Sequence, residues 1–361
     1  MSLLSQELLE TSSKYTIARN FHLAPKIVIV DGQPGCGKTM LSPIIAALDR
    51  VELMTYAFEI EHVCRLFHFE KITFDAAVAL VRIFSDHKLY QAMMGREMNF
   101  RFNDLSSAFR TPNPWKYFLR LFQKGDTVIP DRIETQKPIQ HFTTNNLLGY
   151  GEPVLQGLGE RLTLVEVVRH PLYMIKQQAL NMKNLPSNPR DISIYFKHED
   201  GQLPYYVAGW EELYEQSSFM ERAIYNIYHL EQKAQVAYVH GIPNSQITLI
   251  VVPFEKFVID PDPYMKQFES SLETKVTWLT KREMKRQKVP RQMIADGINL
   301  NVYKRYDWQP PQKKNEIEEY KIRREFAKQY ANAKALDVLD QLCSEYEIQY
   351  FGEEFLSKYA Y

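Results

Sequence analysis

The chain of 361 residues contains only three cysteines, Cys36, Cys64 and Cys343, with no CxxC pair and no Cys/His cluster. This excludes a disulfide framework or a thiolate zinc site as the basis of the fold, and it fits a reducing compartment, so a cytoplasmic location is expected. An excess of either charge is also missing, because Lys plus Arg and Asp plus Glu number 44 each. No global field therefore favours a nucleic acid or a membrane surface as partner. No apolar run approaches the ~20 residues of a membrane-spanning helix, so no membrane insertion is expected. The opening stretch MSLLSQELLETSSKY has neither the basic start nor the apolar run of an export signal. What is present, 45% hydrophobic and 24% charged residues, is an ordinary globular composition.

The most informative stretch is KIVIVDGQPGCGKTML, residues 26–41. Ile27 to Val30 are consecutive apolar residues, Asp31 and Gly32 open a Gly/Pro-rich turn, and apolar residues then follow at helical spacing to Leu48. This predicts a buried strand, a loop and a helix. Gly32 to Thr39 fit Gly-x-x-x-x-Gly-Lys-Thr without a mismatch. Gly35 and Gly37 can take positive φ and let the backbone wrap an anion, towards which the N–H groups of Cys36 to Met40 would point at the helix start. Lys38 would supply a charge to terminal phosphates, and the Thr39 hydroxyl a ligand for Mg²⁺.

Further along, VELMTYAFE reads as a second strand, DTVIPDR as a short buried strand, RLTLVEVVRHP as a strand over Leu162 to Val168, and QITLIVVPFE as another. ISIYFKHEDGQLPYYV alternates around Glu199-Asp200-Gly201 as a hairpin. Helical spacing appears from Thr73, over PWKYFLRLFQKG to Gly125, from Trp210 to Gly241, and over most of the chain beyond Pro261. Strands alternating with helices imply a mainly parallel sheet with helices on both faces. The expected organisation is a polar leader with one short amphipathic helix over 1–24, a nucleotide-binding transferase domain over 25–272, and a helical C-terminal region over 273–361.

Two later segments carry a resemblance. LVEVVRHPLYMIKQ, with Arg169, His170 and Pro171, and ITLIVVPFEKFVIDPDPYMKQFESSL, with Phe254 to Phe257, Asp260 and Pro261, resemble elements of the P-loop sulfotransferase-like superfamily. The resemblance implies a three-layer α/β fold of P-loop NTPase type, with Arg169 on the 3′-phosphate of 3′-phosphoadenosine 5′-phosphosulfate. Two positions depart from that pattern. Gln177 stands where the family places a Ser contact to that phosphate, and the loop carries the complete Gly-Lys-Thr of a nucleoside-triphosphate site.

That second departure makes an ATP- and Mg²⁺-dependent kinase, acting on a hydroxyl of a small molecule or sugar derivative, the leading expectation. The phosphosulfate-dependent sulfotransferase is its alternative, and a nucleotide-hydrolysing switch or assembly protein the second. VIPDRIE resembles the Asp-Arg element of nucleoside and nucleotide kinases, so Asp131 joins Thr39 as an expected metal ligand and Arg132 would neutralise the transferring group. YAFEIEH offers Glu59, Glu61 and His62 as bases, with Glu59 first because it is nearest the strand end. His141 is a further candidate base. Lys183, Arg190 and Lys197 are candidate lid residues, and TKREMKRQKVPRQ is a basic cluster for an anion. The expected donor-binding set is Gly32, Gly35, Cys36, Gly37, Lys38, Thr39, Met40 and Arg169. A small-molecule or sugar acceptor is the implied partner, and self-association is left open.

Overall fold

The computed structural model describes residues 15–102, 104, 106–184, 191–294 and 316–352. Residues 1–14, where the short amphipathic helix is expected, and Arg190 lie outside them. The first half comprises β1 (Lys26–Asp31), α1 (Lys38–Ile45), β2 (Thr55–Tyr56), α2 (Phe58–His68), α3 (Phe74–Met94), α4 (Pro114–Arg120), α5 (Ile129–Gln136), β3 (Ile139–Thr143), α6 (Glu152–Leu158) and β4 (Leu162–Val168). There follow α7 (Pro171–Asn184), β5 (Tyr195–His198), β6 (Gly201–Pro204), α8 (Glu211–Gln216), α9 (Phe219–Val236) and β7 (Thr248–Pro253). The remainder is helical, with α10 (Phe254–Ile259), α11 (Asp262–Leu272), α12 (Trp278–Arg286), α13 (Glu316–Tyr330) and α14 (Ala333–Phe351).

The central sheet runs β2-β3-β1-β4-β7 with every pairing parallel. Its inner strands are rich in β-branched residues and buried on both faces, as helix-covered parallel strands require. Val28, Val30, Val165 and Val167 face one core with α1, α7, α11, α13 and α14. Ile27, Ile29, Phe142 and Leu164 face the other, with α2, α3 and α6. The expected three-layer α/β architecture is therefore observed. Ala327, Leu339 and Leu342 of α13 and α14 belong to the first core, so the C-terminal helices are extra layers on the same body.

Local expectations fared unevenly. The strand over Leu162–Val168, the β5–β6 hairpin and the late strand β7 form as expected. The second strand shrinks to Thr55–Tyr56, because helix α2 begins two residues later. DTVIPDR is not a strand. It makes a 3₁₀ turn over Asp126–Val128 and the first residues of α5, where Pro130 sits in the first turn and loses no hydrogen bond. The helix of PWKYFLRLFQKG ends at Arg120, short of Gly125.

Candidate functional site

All five strands point the same way, so the loops at their carboxyl ends gather along one edge of the sheet, where open α/β sheets bind ligands. The glycine-rich loop leaves β1 there. Gly32, Gly35 and Gly37 have φ of 139°, 90° and 111°, conformations that a side chain would strain. Gly37 is also a close approach, since a Cβ there would lie 2.3 Å from the Phe254 ring. Asp31 fixes the loop's root. Its carboxylate accepts the Thr144 hydroxyl at 2.8 Å and the Leu148 N–H at 2.9 Å, tying β1 to the segment after β3. Lys38, only 7% exposed, folds across the loop and donates to the carbonyls of Gly32 and Gln33. Cys36 is buried and its thiol is pushed up by burial, so it packs in the loop as a neutral group. Met40 and Thr39 lie half-buried in the first turn of α1.

Arg169 comes to the same loop from the end of β4. Its Nη1 donates to the Gly35 carbonyl at 3.0 Å, and the guanidinium lies 4.2 Å from the Phe254 ring centroid. Glu255 Oε1 stands 3.8 Å from Nε. Nε itself is buried with no hydrogen-bond partner. Gln177 lies against Gly35, where a Cβ would come 3.3 Å from the amide oxygen. Gln178 donates to Gln33 and Pro34, and Asn226 of α9 donates to Gln178. Two helix faces thus hold the loop's outer turn with amides.

The C-terminal helices close this edge from outside. Tyr346 donates to Glu255 at 2.6 Å, His170 Nε2 lies 2.9 Å from Glu347, and Arg323 donates to the Tyr173 carbonyl. A cavity of about 80 Å³ remains behind the loop, between Asp31, Glu166 and Arg169 on one side and Leu342 and Tyr346 of α14 on the other. Glu166, paired in register with Asp31, is held far above the usual carboxylate range by burial and by that neighbour, and so is neutral.

Beside Pro34 a second cavity, about 230 Å³, opens between α2, the segment after β3, and Tyr205. Glu61 lines it and is 3% exposed. Its carboxylate accepts the Asn145 N–H at 2.8 Å and Arg65 at 2.6 Å, while Arg65 stacks 4.0 Å from the Tyr205 ring centroid. Burial outweighs both partners and pushes Glu61 up to about 7. A carboxyl that titrates near neutrality, in a cavity rich in amides, is equipped to exchange a proton with a hydroxyl.

The other expected residues are elsewhere. Glu59 faces outward on α2 and pairs with Lys88 at 2.9 Å, because a helix starting at Phe58 turns Glu61, not Glu59, towards the sheet edge. Asp131 and Arg132 sit on α5, which feeds the start of β3 and so lies at the opposite edge; Arg132 bonds the Met93 and Lys124 carbonyls. His141 is in mid-β3, fully buried, with burial lowering it to about 3. It is a neutral core residue. His62 lies 2.9 Å from the Ile192 carbonyl, and Lys183 and Lys197 are exposed. Of the basic cluster, Arg291 lies 5.5 Å from the Phe254 ring centroid. The donor set does not fit the expected magnesium arrangement: β3 ends in Thr143 and Thr144 rather than an acid, Thr143 bonds Ser42, and Asp131 is remote from Thr39. Gln177 lies against Gly35, and Glu61 shares a cavity with Pro34 of the loop. The spacing of Glu61 and Arg65, four apart beside buried Ile60 and Cys64, was the available clue.

No protein-family model and no curated protein matches the chain. Among solved structures it is similar to sulfotransferase STF9 from Mycobacterium avium, with 14% identity over 97% of this chain and 81% of that one and a TM-score of 0.40. It is also similar to mouse sulfotransferase SULT7A1 complexed with PAP, with 11% identity over 99% and 96% of the two chains and a TM-score of 0.36. A third is the sulfotransferase domain of the Synechococcus PCC 7002 olefin synthase, at 12% identity over 92% and 98% and a TM-score of 0.36. Among the described residues, no helix is long and apolar enough to cross a membrane.

Proposed function

We propose that the chain is a transferase that moves a sulfuryl group from 3′-phosphoadenosine 5′-phosphosulfate to a hydroxyl of a small molecule. The observation that carries this reading is Arg169: a guanidinium anchored on the Gly35 carbonyl of the glycine-rich loop, with its side chain still 16% exposed there. A phosphate oxygen is a partner that such a planar cationic fork matches well. Gln177, the residue that departs from the expected Ser, lies at the same place with its amide oxygen towards Gly35, and would have to turn its NH₂ to the loop to donate to a phosphate.

In this reading the loop N–H groups and Lys38 hold the donor's 5′-phosphate and reacting sulfonate, and Arg169 with Gln177 holds the 3′-phosphate. Glu61 takes the proton of the acceptor hydroxyl. The acceptor oxygen bonds to sulfur while the bond from sulfur to the bridging phosphate oxygen breaks, and its electron pair leaves on adenosine 3′,5′-bisphosphate. The loop and Lys38 stabilise that leaving charge. The reaction needs no magnesium held by a protein carboxylate, which agrees with threonines at the end of β3. A second reading, phosphoryl transfer from ATP, is favoured by Thr39 in the first turn of α1, which would hold Mg²⁺ if the ion kept its other ligands as water and phosphate.

Thermal unfolding of the full chain separates the two. Adenosine 3′,5′-bisphosphate should raise Tm by the same amount with Mg²⁺ or with a chelator present. Stabilisation by ATP only, and only with Mg²⁺, would replace this reading with the kinase.

A further inference from the structure

Helix α4 is built inside out. Its inward residues are Tyr117 and Arg120, both buried, and the Arg120 guanidinium donates to both oxygens of Glu52, at 2.8 and 2.9 Å, beside the Tyr117 ring. Its outward residues are apolar. Trp115, Phe118, Leu119 and Phe122 stand three or four apart, the spacing of one helical face, and all are exposed, Trp115 at 67% and Phe122 at 74%. Phe122 lies just past the helix, but the N–H groups of Leu121, Phe122 and Gln123 bond back three residues and carry the winding on. The rings of Trp115, Phe118 and Phe122 pair in sequence, at 5.7 and 5.4 Å between centroids. The 3₁₀ turn Ala108–Arg110 packs against α4 and bears another exposed ring, Phe109, with that of Phe102 beside it at 5.5 Å.

This outward face is fixed, not frayed. Glu52 is buried and takes Lys116, at 3.0 Å, as well as Arg120. Burial alone would raise its carboxyl, yet the two cations hold it at about 2, so it is an anion throughout the neutral range. Rolling α4 to bury its apolar stripe would strip that anion of Arg120, and breaking one side of a buried ion pair is strongly destabilising. A contiguous apolar face held towards solvent in this way marks an interaction surface.

Its charge indicates what it meets. Residues 96–126 carry six basic side chains, Arg96, Arg101, Arg110, Lys116, Arg120 and Lys124, against three acidic ones, in a chain whose totals balance at 44 each. Glu52 offsets one more, and the local balance stays positive. A second copy of this face would bring like charges together, which opposes self-association. Rings standing out at such exposure make a ridge, not a groove. A ridge of Trp, Phe and Leu with Lys and Arg around it is the composition that settles at the interface of an anionic bilayer. We propose that α4 docks this protein on an anionic membrane surface, lying along it with the rings below the headgroups and the cations among them. The helix packs over Val51 and Glu52, next to the start of β3, so the docking edge is opposite the glycine-rich loop and leaves that loop open. The proposal stands whether or not the donor reading holds.

The test is sedimentation of the full chain with vesicles of phosphatidylcholine alone and of phosphatidylcholine mixed with phosphatidylserine. The mixed vesicles should carry it down, the neutral ones much less, and salt at about 1 M should weaken the binding. Trp115→Ser combined with Phe122→Ser should lower binding to the mixed vesicles roughly tenfold or more. Both side chains are exposed, so Tm should hold. Ile348→Ser, on α14 and as exposed as Trp115, should bind as the wild type does. No binding to either vesicle, equal binding to both, or undiminished binding in the double variant would overturn the proposal. A dimer in solution that the double variant dissociates would give the face to a second copy and overturn it as well. Should the double variant not fold, fluorescence decides: brominated lipid in the mixed vesicles should quench the wild type's tryptophan emission, Trp115→Phe should remove most of that quenching, and unchanged quenching counts against the surface.

Discussion

Arg169 reaches from the end of β4 to the carbonyl of Gly35, 134 residues earlier in the chain, while Lys38 donates to the carbonyl of Gly32 in the same loop. A guanidinium there serves geometry as well as charge, because its planar fork can donate to the loop and to an anion together. Arg169→Lys should therefore behave much more like Arg169→Ala than like the wild type. Truncation of a buried charge-assisted contact costs about 2 kcal/mol or more, roughly thirtyfold in Kd for adenosine 3′,5′-bisphosphate. Titration of both variants checks this; full affinity in Arg169→Ala would remove the residue from the donor site.

Gly37 packs closely against the Phe254 ring. Gly37→Ala combines a φ of 111° with a Cβ 2.3 Å from the ring, so either the loop or the ring must move. The strained backbone alone costs about 1–3 kcal/mol. Donor affinity should fall sharply, and adding Phe254→Leu should restore stability, measured by urea unfolding, more than affinity. The second change relieves the clash but leaves the φ.

Glu61 sets the expected pH dependence of turnover. A base must be deprotonated to act, and Glu61 is held at about 7, so kcat/KM should rise with pH through about 7 and then level off. Glu61→Gln keeps hydrogen bonding at the Asn145 N–H and removes the base. It should lose the acid limb and about 10²–10⁴ in rate. An unaltered profile would assign the proton to another group.

How far the sequence carries this site depends on the range of each signal. The strand–loop–helix of Lys26 to Ile45 is local, with consecutive apolar residues, three special glycines and a helix start, and it folds as read. The β4 strand ended by Arg169 is equally local, and its neighbour in the sheet is β1, which brings Arg169 to the loop. The Asp131–Arg132 reading failed because Val128 and Ile129 make too short an apolar run to separate strand from helix, and the proline suits a helix start. Glu59 lost to Glu61 by the phase of a helix whose first residue the sequence did not mark. His141 could not be placed because β3 is buried on both faces, so no polar–apolar alternation showed which way each side chain looks.

His141 itself gives a test that needs no substrate. Its ring is fully buried, neither nitrogen makes a well-formed hydrogen bond, and burial lowers it to about 3, with the Glu52 backbone tempering the shift. The unfolded chain has an ordinary imidazole near 6.5, so between about 6.5 and 3 the unfolded state binds a proton that the folded state refuses. The stabilisation from a neutral His141 is therefore complete above 6.5 and is lost as pH falls from there towards 3. Replacing the ring by His141→Leu removes that proton from the balance. The variant should match or exceed the wild type at pH 7.5, since two unpaired nitrogens disappear from the core. Between pH 6 and 5 its stability should fall less steeply, the two slopes differing by up to about 1.4 kcal/mol per pH unit. Urea unfolding across that interval measures the difference, and because it compares two chains it cancels the other histidines. Parallel slopes would mean that the imidazole reaches solvent or a partner, and would return His141 to the candidates for catalysis.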